Sequence, residues 1–325
     1  MLYQHLLEQR ARVTKAAKAK FARDINRLIK NTGKLERKKV EAMVKLLDFA
    51  KAQLSDKIIQ LPKGKFTRDM AVILKGQVEE FMADFQAQAI PEITVAQEEF
   101  AVIGQEFTDE LIRSQARRPP VIAIKPEIIE NAATRSADLI RSLTRRQLSR
   151  ANDLINRSVI TGDSVFNVAQ KMSKEFNKGI AQMEVIARTE ILGIHSQVQM
   201  AELQAMAIDS PGLKKQWITI RDGRQRPDHD AAHLQSVPVD ASFRIGQDLL
   251  QFPRDPAAPA KQVIQCRCTM VPDFSEVAED PEAPTAAALG TKDLAPVEIK
   301  LGNLARRVAA DVKESFTKNK TRRNT

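Results

Sequence analysis

The stretch from Lys215-Gln-Trp-Ile-Thr-Ile220 to Gln265-Cys-Arg-Cys-Thr269 lacks the long helical pattern of the chain before it. The first segment contains the only tryptophan and has the character of a strand, and the second contains both cysteines. Three of the four histidines also lie between residues 195 and 233. The residue types that bind metals or transfer protons are therefore concentrated in one short region.

Before this region, apolar residues recur at spacings of three and four, which is typical of amphipathic helices. The pattern predicts a helical hairpin over residues 1 to about 60, with a turn at Asn31-Thr-Gly33, because glycine readily adopts the conformation that ends a helix. Two further helices are predicted over 67–88 and 92–116. They are separated at Pro91, because proline disfavours a helical conformation in the residue before it.

The next helix is predicted from Pro126 to about residue 158. Ser164 is expected to cap another helix, which ends at Lys178-Gly179 and is followed by a helix over 181–207. Short apolar runs between turn-forming residues then predict strands at 215–220, 249–252 and 267–271. The predicted fold class is α+β and mostly helical, with long N-terminal helices followed by a small module of short strands that holds the Trp, the His and the Cys-x-Cys motif.

The composition limits the class of protein. A chain of 325 residues with 43% hydrophobic residues can bury a substantial core, and 12 glycines with 5% aromatics suit helices better than sheets. No apolar run approaches the roughly 18 residues that cross a bilayer, so no membrane segment is expected. The net charge of +10 favours a polyanionic partner such as nucleic acid. The basic helical faces are either solvated surfaces or surfaces that contact phosphates.

His229 and His233 are four residues apart, as are the two zinc-binding histidines of His-Glu-x-x-His proteases. The residue that follows His229 is an aspartate, one methylene shorter than the glutamate that serves as general base in those proteases. Pro227 and Pro238 also leave room for only a short helix. The pair therefore does not predict a metalloprotease.

Cys266, Cys268 and His229 are the residue types that suit a tetrahedral zinc ion, and residues two apart in a strand share a face. The alternative is that the two cysteines pack as small hydrophobic residues beside a hydrogen-bonded histidine. We expect no cofactor, with zinc as the alternative. The candidates for a fourth ligand are Asp222, Asp228 and His233.

Arg188 and Glu190 precede the module on a predicted helix. Residues two apart do not share a helix face, so we expect each to make a separate structural hydrogen bond or ion pair. Trp217 is expected in the core, because a single indole at the start of a strand usually packs against other side chains.

Six short motifs follow one another within residues 187–268: Ala187-Arg-Thr-Glu190, Trp217, Asp222 to His229, Phe243 to Gly246, Pro253-Arg-Asp-Pro256 and Cys266-Arg-Cys268. In this order they resemble the Mu F-like phage head morphogenesis family, the minor head proteins of tailed phages. The resemblance implies a structural role for the motif residues Arg188, Glu190, Trp217, Asp222, Arg226, Pro227, Phe243, Gly246 and Pro256.

The resemblance also implies a virion protein inside the capsid, present in the host cytoplasm during assembly. Its expected partners are the portal protein, other capsid or scaffold proteins, and double-stranded DNA bound through phosphates during assembly, packaging or genome ejection. We expect no catalytic residue and no enzyme activity. The alternative is a metal-dependent hydrolase or nuclease that uses His229, Cys266 and Cys268.

Four regions follow from these patterns. Residues 1–120 are a helical region for portal or virion contacts, and 121–275 are the Mu F-like domain. An acidic linker rich in Ala and Pro spans 276–295, and 296–325 hold an amphipathic helix and a basic tail. The tail residues expected to bind DNA are Lys318, Lys320, Arg322 and Arg323.

Overall fold

The computed structural model describes residues 2–115 and 117–277, with side chains described from residue 19 onward. The predicted C-terminal helix and nearly all of the acidic linker lie outside the described residues. The same is true of the predicted DNA-binding residues Lys318, Lys320, Arg322 and Arg323.

Long helices come first and a small mixed module follows. In the described residues the long helices are α1 (Leu2–Ile59), α2 (Arg68–Ser114), α3 (Pro126–Thr161) and α4 (Val165–Asp209). The module contains β1 (Lys214–Ile218), α5 (Pro227–Ala231), β2 (Ser236–Pro238), β3 (Phe243–Ile245), β4 (Asp248–Leu250), α6 (Ala260–Val263) and β5 (Thr269–Asp273). The predicted fold class is confirmed.

The predicted helix breaks at Gly33 and Pro91 are wrong, because α1 and α2 continue through both residues. One glycine inside a helix costs only about 1 kcal/mol, and the neighbouring Thr32 is buried. A proline costs about 3 kcal/mol, but Ile90 and Ile93 on either side of Pro91 are fully buried. Burying two such side chains stabilises the fold by a comparable free energy. Packing therefore keeps the helix continuous despite the unfavourable helix propensity of proline.

The predicted helix end at Gly179 is also wrong, because α4 continues through it. A Cβ atom at this position would lie 2.6 Å from Nε2 of Gln147 on α3. The glycine therefore allows close approach of two helices and does not end one. By contrast, the predicted cap is confirmed: the hydroxyl oxygen of Ser164 accepts a hydrogen bond from the backbone N–H of Asn167 at 3.1 Å.

The chain forms two compact units, each assembled from separate segments. The described part of unit 1 comprises residues 2–36, 99–115, 117–128 and 192–277, and that of unit 2 comprises 37–98 and 129–191. Unit 2 is helical apart from its turns, and its buried apolar residues include Leu47, Phe85, Ile140 and Phe176. Unit 1 contains all the strands of the described chain.

The sheet of unit 1 has the order β2-β1-β5, and both pairs of strands are antiparallel. Trp217 on β1 is opposite Met270 on β5, and β3 and β4 form a separate hairpin. Trp217, Phe243 and Met270 lie in one buried cluster, which also includes Met200 and Leu203 of α4. The sheet and α4 therefore share a core, which holds the ends of the strands in place.

Candidate functional site: a buried histidine between two cysteines

His229 lies on the single turn of α5, which begins at Pro227. Proline suits the first position of a helix because its missing N–H would have no helical partner there. Cys266 and Cys268 lie on the loop between α6 and β5. All three side chains are buried, with 2%, 2% and 4% of their surface exposed.

The structure brings these three residues together, as the sequence predicted. Nδ1 of His229 lies 3.4 Å from Sγ of Cys268 and 3.6 Å from Sγ of Cys266. The nitrogen and the two sulfurs all lie within 4.8 Å of one another. The hydrogen bond from Cys268 lowers the pKa of the Cys266 thiol, and the same interaction raises the pKa of Cys268.

Gln262 on α6 fixes the orientation and tautomer of the His229 ring. Its Nε2 faces oxygen acceptors, namely Oδ2 of Asp248 at 3.0 Å, Oδ2 of Asp228 at 3.3 Å and the carbonyl oxygen of Ile245 at 3.4 Å. Its Oε1 must therefore face His229, where it accepts a hydrogen bond from Nε2 at 2.9 Å. In the neutral ring, Nδ1 then carries the lone pair, and that lone pair faces both sulfurs.

Trp217 and Thr219 form the inner wall of the site. The Trp217 ring meets the His229 ring edge to face, with ring centroids 5.7 Å apart, and meets Phe243 in the same way at 5.2 Å. Its Nε1 donates to Oγ1 of Thr219, which in turn donates to the carbonyl oxygen of His229 at 2.5 Å. The histidine is therefore held at its ring and at its backbone.

Arg254 is a part of the site that the sequence analysis did not single out. Its guanidinium is buried and donates to the carbonyl oxygens of Cys266 at 2.9 Å and Cys268 at 2.8 Å. It also donates to Oγ of Ser196 and to the carbonyl oxygen of Leu192, both on α4. The backbone at Arg254 has φ 66°, a conformation uncommon for residues other than glycine. One side chain thus joins the cysteine loop to α4.

Asp222, Asp228 and His233, the predicted alternatives for a fourth ligand, are engaged elsewhere. Asp222 accepts hydrogen bonds from Arg267 and Arg224, which lower the pKa of its carboxyl group. Nδ1 of His233 accepts a hydrogen bond from the backbone N–H of Thr219 at 3.1 Å. As described above, Asp228 accepts from Gln262.

Other motif residues shape the same region. The guanidinium of Arg226 donates to the carbonyl oxygen of Ile264. Gly246 has φ 62° and lies so close to Asp228 that a Cβ would be 2.5 Å from its Oδ2. Pro256 follows Asp255, whose carboxylate accepts from the backbone N–H groups of Gln251 and Ala257 at 2.9 Å each.

Arg188 and Glu190 belong to unit 2 and make separate ion pairs there. Arg188 contacts Glu184 at 3.1 Å. Glu190 is buried and accepts from Nε of Arg135 at 2.8 Å and from the hydroxyl of Ser136 at 3.3 Å. Each residue therefore makes the separate ion pair that the sequence predicted.

The described residues therefore define a class: a mostly helical protein with a small strand module braced around a buried His and Cys-x-Cys cluster. Residues 150–271 match the family described as Phage Mu protein F like protein. This match confirms the resemblance drawn from the motifs, and residues 150–271 are similar to that family. Comparison with curated proteins and with solved structures gave no match.

Among the described helices, none combines the length and apolarity that crossing a membrane requires.

Proposed function

We propose that this protein is a minor capsid protein of a tailed phage that acts by binding and not by catalysis. It contacts the portal or other head proteins, and it binds double-stranded DNA during assembly, packaging or ejection. The match of residues 150–271 to the Mu F-like family carries the proposal. The net charge of +10 and the surface of unit 2 support its DNA-binding part.

A basic groove in unit 2 is the strongest candidate for DNA contact among the described residues. Its basic side chains outnumber its acidic ones, and the groove lies between α3 and α4. The carboxylate of Glu175 pairs with Arg150 and Lys178, and that of Asp163 pairs with Lys171, so part of the positive charge is offset. The basic residues that line the groove are Arg150, Arg157, Lys171 and Lys178. Such a surface suits contacts with phosphates, which bind without reading sequence.

Exposed apolar side chains in unit 2 support contacts with another head protein. The turn at Gly64 and Lys65 pairs with the turn at Asp163 and Ser164 through backbone hydrogen bonds. Ile59, Ile160 and Phe166 flank these turns and expose 75%, 84% and 69% of their surface. Large apolar groups exposed on neighbouring segments are typical of protein contact sites.

The DNA contact is tested by measuring the affinity for a double-stranded oligonucleotide by fluorescence anisotropy at several salt concentrations. A variant with Arg157→Gln, Lys171→Gln and Lys178→Gln is compared with one that has the same charge change at Lys38, Lys63 and Arg68, which are exposed elsewhere in unit 2. We expect the groove variant to reduce the salt slope by about 0.9 for each phosphate that the groove no longer neutralises. An affinity independent of salt, or an equal weakening in both variants, would contradict the DNA contact.

The head assignment is tested by locating the chain in procapsids by electron cryomicroscopy and by measuring incorporation of an Ile160→Ser, Phe166→Ser variant. The matched control is Val121→Ser, which alters a fully exposed apolar residue of unit 1. We expect reduced incorporation of the first variant only. A purified procapsid that lacks the wild-type chain would overturn the assignment.

The absence of catalysis is supported by the state of the carboxylates around His229. A metal-dependent hydrolase needs a base that can reach a bound water, and Asp222 and Asp228 are the carboxylates of the motif that ends at His229. Both are hydrogen bonded to other side chains. A nuclease assay of wild type and His229→Ala tests this part. Metal-stimulated cleavage by wild type that disappears in the variant would show that the protein is an enzyme.

A further inference from the structure

We propose that Nδ1 of His229 and the sulfurs of Cys266 and Cys268 bind one zinc ion, with a fourth coordination position open to a small cleft. This inference goes beyond the head function and does not depend on it. It rests on the distances within the cluster, on the number of lone pairs available and on the contacts that hold each ligand.

The distances within the cluster match those of a tetrahedral zinc site. Zinc lies about 2.3 Å from sulfur and about 2.0–2.1 Å from imidazole nitrogen, so a tetrahedral site separates nitrogen from sulfur by roughly 3.6 Å. The separations from Nδ1 of His229 are 3.4 Å to Cys268 and 3.6 Å to Cys266. The two nitrogen–sulfur distances are therefore those that a bound zinc ion requires.

The two thiols compete for the single lone pair of one ring nitrogen. Nδ1 of His229 has one lone pair, which can accept one S–H, yet two buried sulfurs face it. The thiol of Cys268 has a second acceptor in Oγ1 of Thr219, at the longer distance of 3.7 Å, and this oxygen also accepts from Nε1 of Trp217. A cation with two thiolates and one neutral imidazole satisfies all three atoms at once.

The contacts behind the ligands are those that a metal site needs. Histidines that bind metals almost always donate their other ring N–H to an oxygen acceptor, which fixes the tautomer and the ring orientation. Nε2 of His229 donates to Gln262, and Gln262 is itself held by Asp248 and Asp228. The ring is therefore oriented with Nδ1 toward the sulfurs by contacts that do not involve the cysteines.

Hydrogen bonds also fix the backbone of the cysteine loop. Arg254 binds the carbonyl oxygens of both cysteines. Gln265, the residue before Cys266, has φ 55°, a conformation that turns the chain just before the two cysteines. Sulfur ligands favour zinc over magnesium or calcium, whose preferred ligands are oxygens.

His229 and both cysteines line a narrow cleft together with Arg224, Arg226 and Arg267, and we expect the fourth position to face it. The carboxylates and the second histidine nearby are engaged elsewhere, as described above. A solvent molecule or a small anion is therefore the expected fourth ligand. Three protein ligands and one exchangeable ligand are the pattern of catalytic zinc sites, whereas structural zinc sites have four protein ligands, and the nuclease assay described above tests whether this site is active.

The test measures the zinc content of full-length protein purified without a histidine tag, dialysed against excess zinc and then against buffer. We expect one zinc per chain in wild type and in His233→Gln, the matched control, whose ring lies on the same segment but contacts Thr219. We expect Cys266→Ser, Cys268→Ser and His229→Gln each to lose the metal. Retention of one zinc by all three variants would overturn the proposal.

Two further measurements keep the proposal testable if these variants fail to fold. Cobalt added to the metal-free wild type should give the intense absorption of a cobalt–thiolate site, and zinc should abolish it. Gln262→Ala, which leaves the three ligands intact, should weaken zinc binding about 10–100-fold in competition with a chelator. A folded wild type that takes up neither cobalt nor zinc would show that the cluster is only a hydrogen-bonded core.

Discussion

Oε1 of Gln262 accepts a hydrogen bond from Nε2 of His229 at 2.9 Å, and the two residues come from separate short helices 33 positions apart in the chain. This bond determines which ring nitrogen faces the cysteines. The side chain of Gln262 is itself bound by two carboxylates and a carbonyl oxygen, so the ring orientation is set by four residues outside the cysteine loop.

Replacing Gln262 with leucine should lower the free energy of unfolding by about 1–3 kcal/mol, because the buried Nε2–H of His229 loses its acceptor. Urea denaturation of the metal-free protein measures the change. The control Gln170→Leu alters an exposed residue of α4 and should change stability by less than about 0.5 kcal/mol. Equal stability of wild type and Gln262→Leu would show that the bond contributes nothing.

Gly246→Ala should destabilise the protein more than Gly223→Ala. Both glycines have positive φ, 62° and 84°, so each alanine incurs backbone strain of about 1–2 kcal/mol. Only Gly246 also lies against another group, Oδ2 of Asp228 at 2.5 Å from a Cβ atom, whereas nothing lies within 4 Å at Gly223. Thermal unfolding of both variants tests the difference, and equal shifts would exclude a role for close packing at Gly246.

Two glycines of α2 should respond to alanine with opposite signs. Gly76 has nothing within 4 Å of an added Cβ, so Gly76→Ala should stabilise the helix by up to about 1 kcal/mol. At Gly104 the same atom would lie 2.7 Å from the carbonyl oxygen of His195, which belongs to the backbone of α4 and cannot easily move. Gly104→Ala should therefore destabilise. Urea denaturation measures the free energy of unfolding of both variants. An increase in both would contradict the close approach at Gly104.

The carboxyl group of Glu202 should make the free energy of unfolding decrease as pH rises. Its side chain is fully buried, and burial raises its pKa from 4.5 to about 8, with a smaller contribution from Asp109. The folded state therefore holds this proton more tightly than the unfolded state does. The resulting stability is fully present below about pH 4.5 and is lost progressively as pH rises toward 8.

Glu202→Gln keeps the shape of the side chain without the charge, so the variant should be more stable than wild type at pH 8. Its free energy of unfolding should also decline less between pH 5 and 8. Urea denaturation across this range measures the effect. Glu80→Gln, at an exposed position of α2, serves as the control and should leave the decline unchanged. A decline as steep in Glu202→Gln as in wild type would assign the pH dependence to other groups.

The positions of the long helices could be predicted from apolar spacing, but their continuity could not. Gly33, Pro91 and Gly179 are residues that end many helices, and each lies inside one here. Local preferences of about 1–3 kcal/mol are small beside the burial of several large side chains. The partner that explains Gly179 is Gln147, and no local pattern identifies a contact between distant helices.

The histidine and cysteine cluster was predictable from residue type, whereas the groups that hold it were not. His229, Cys266 and Cys268 stand out in a chain with four histidines and two cysteines. Arg254 and Gln262 are ordinary residue types in a basic, polar sequence, and their roles depend on contacts made after folding. The only signal for Arg254 was its place inside the Pro253-Arg-Asp-Pro256 motif.

The four hydrogen bonds of Arg254 also bear on local opening of the chain. The cysteine loop has no regular secondary structure around residues 266–268, and loops of this kind usually exchange their amide protons quickly. Here, opening the loop would remove the carbonyl oxygens of Cys266 and Cys268 from the buried guanidinium of Arg254. A buried charged group that loses its hydrogen-bond partners, with no water to replace them, costs free energy. The amide protons of the loop should therefore be protected from exchange like those of the protein interior. They should exchange only when the whole of unit 1 unfolds.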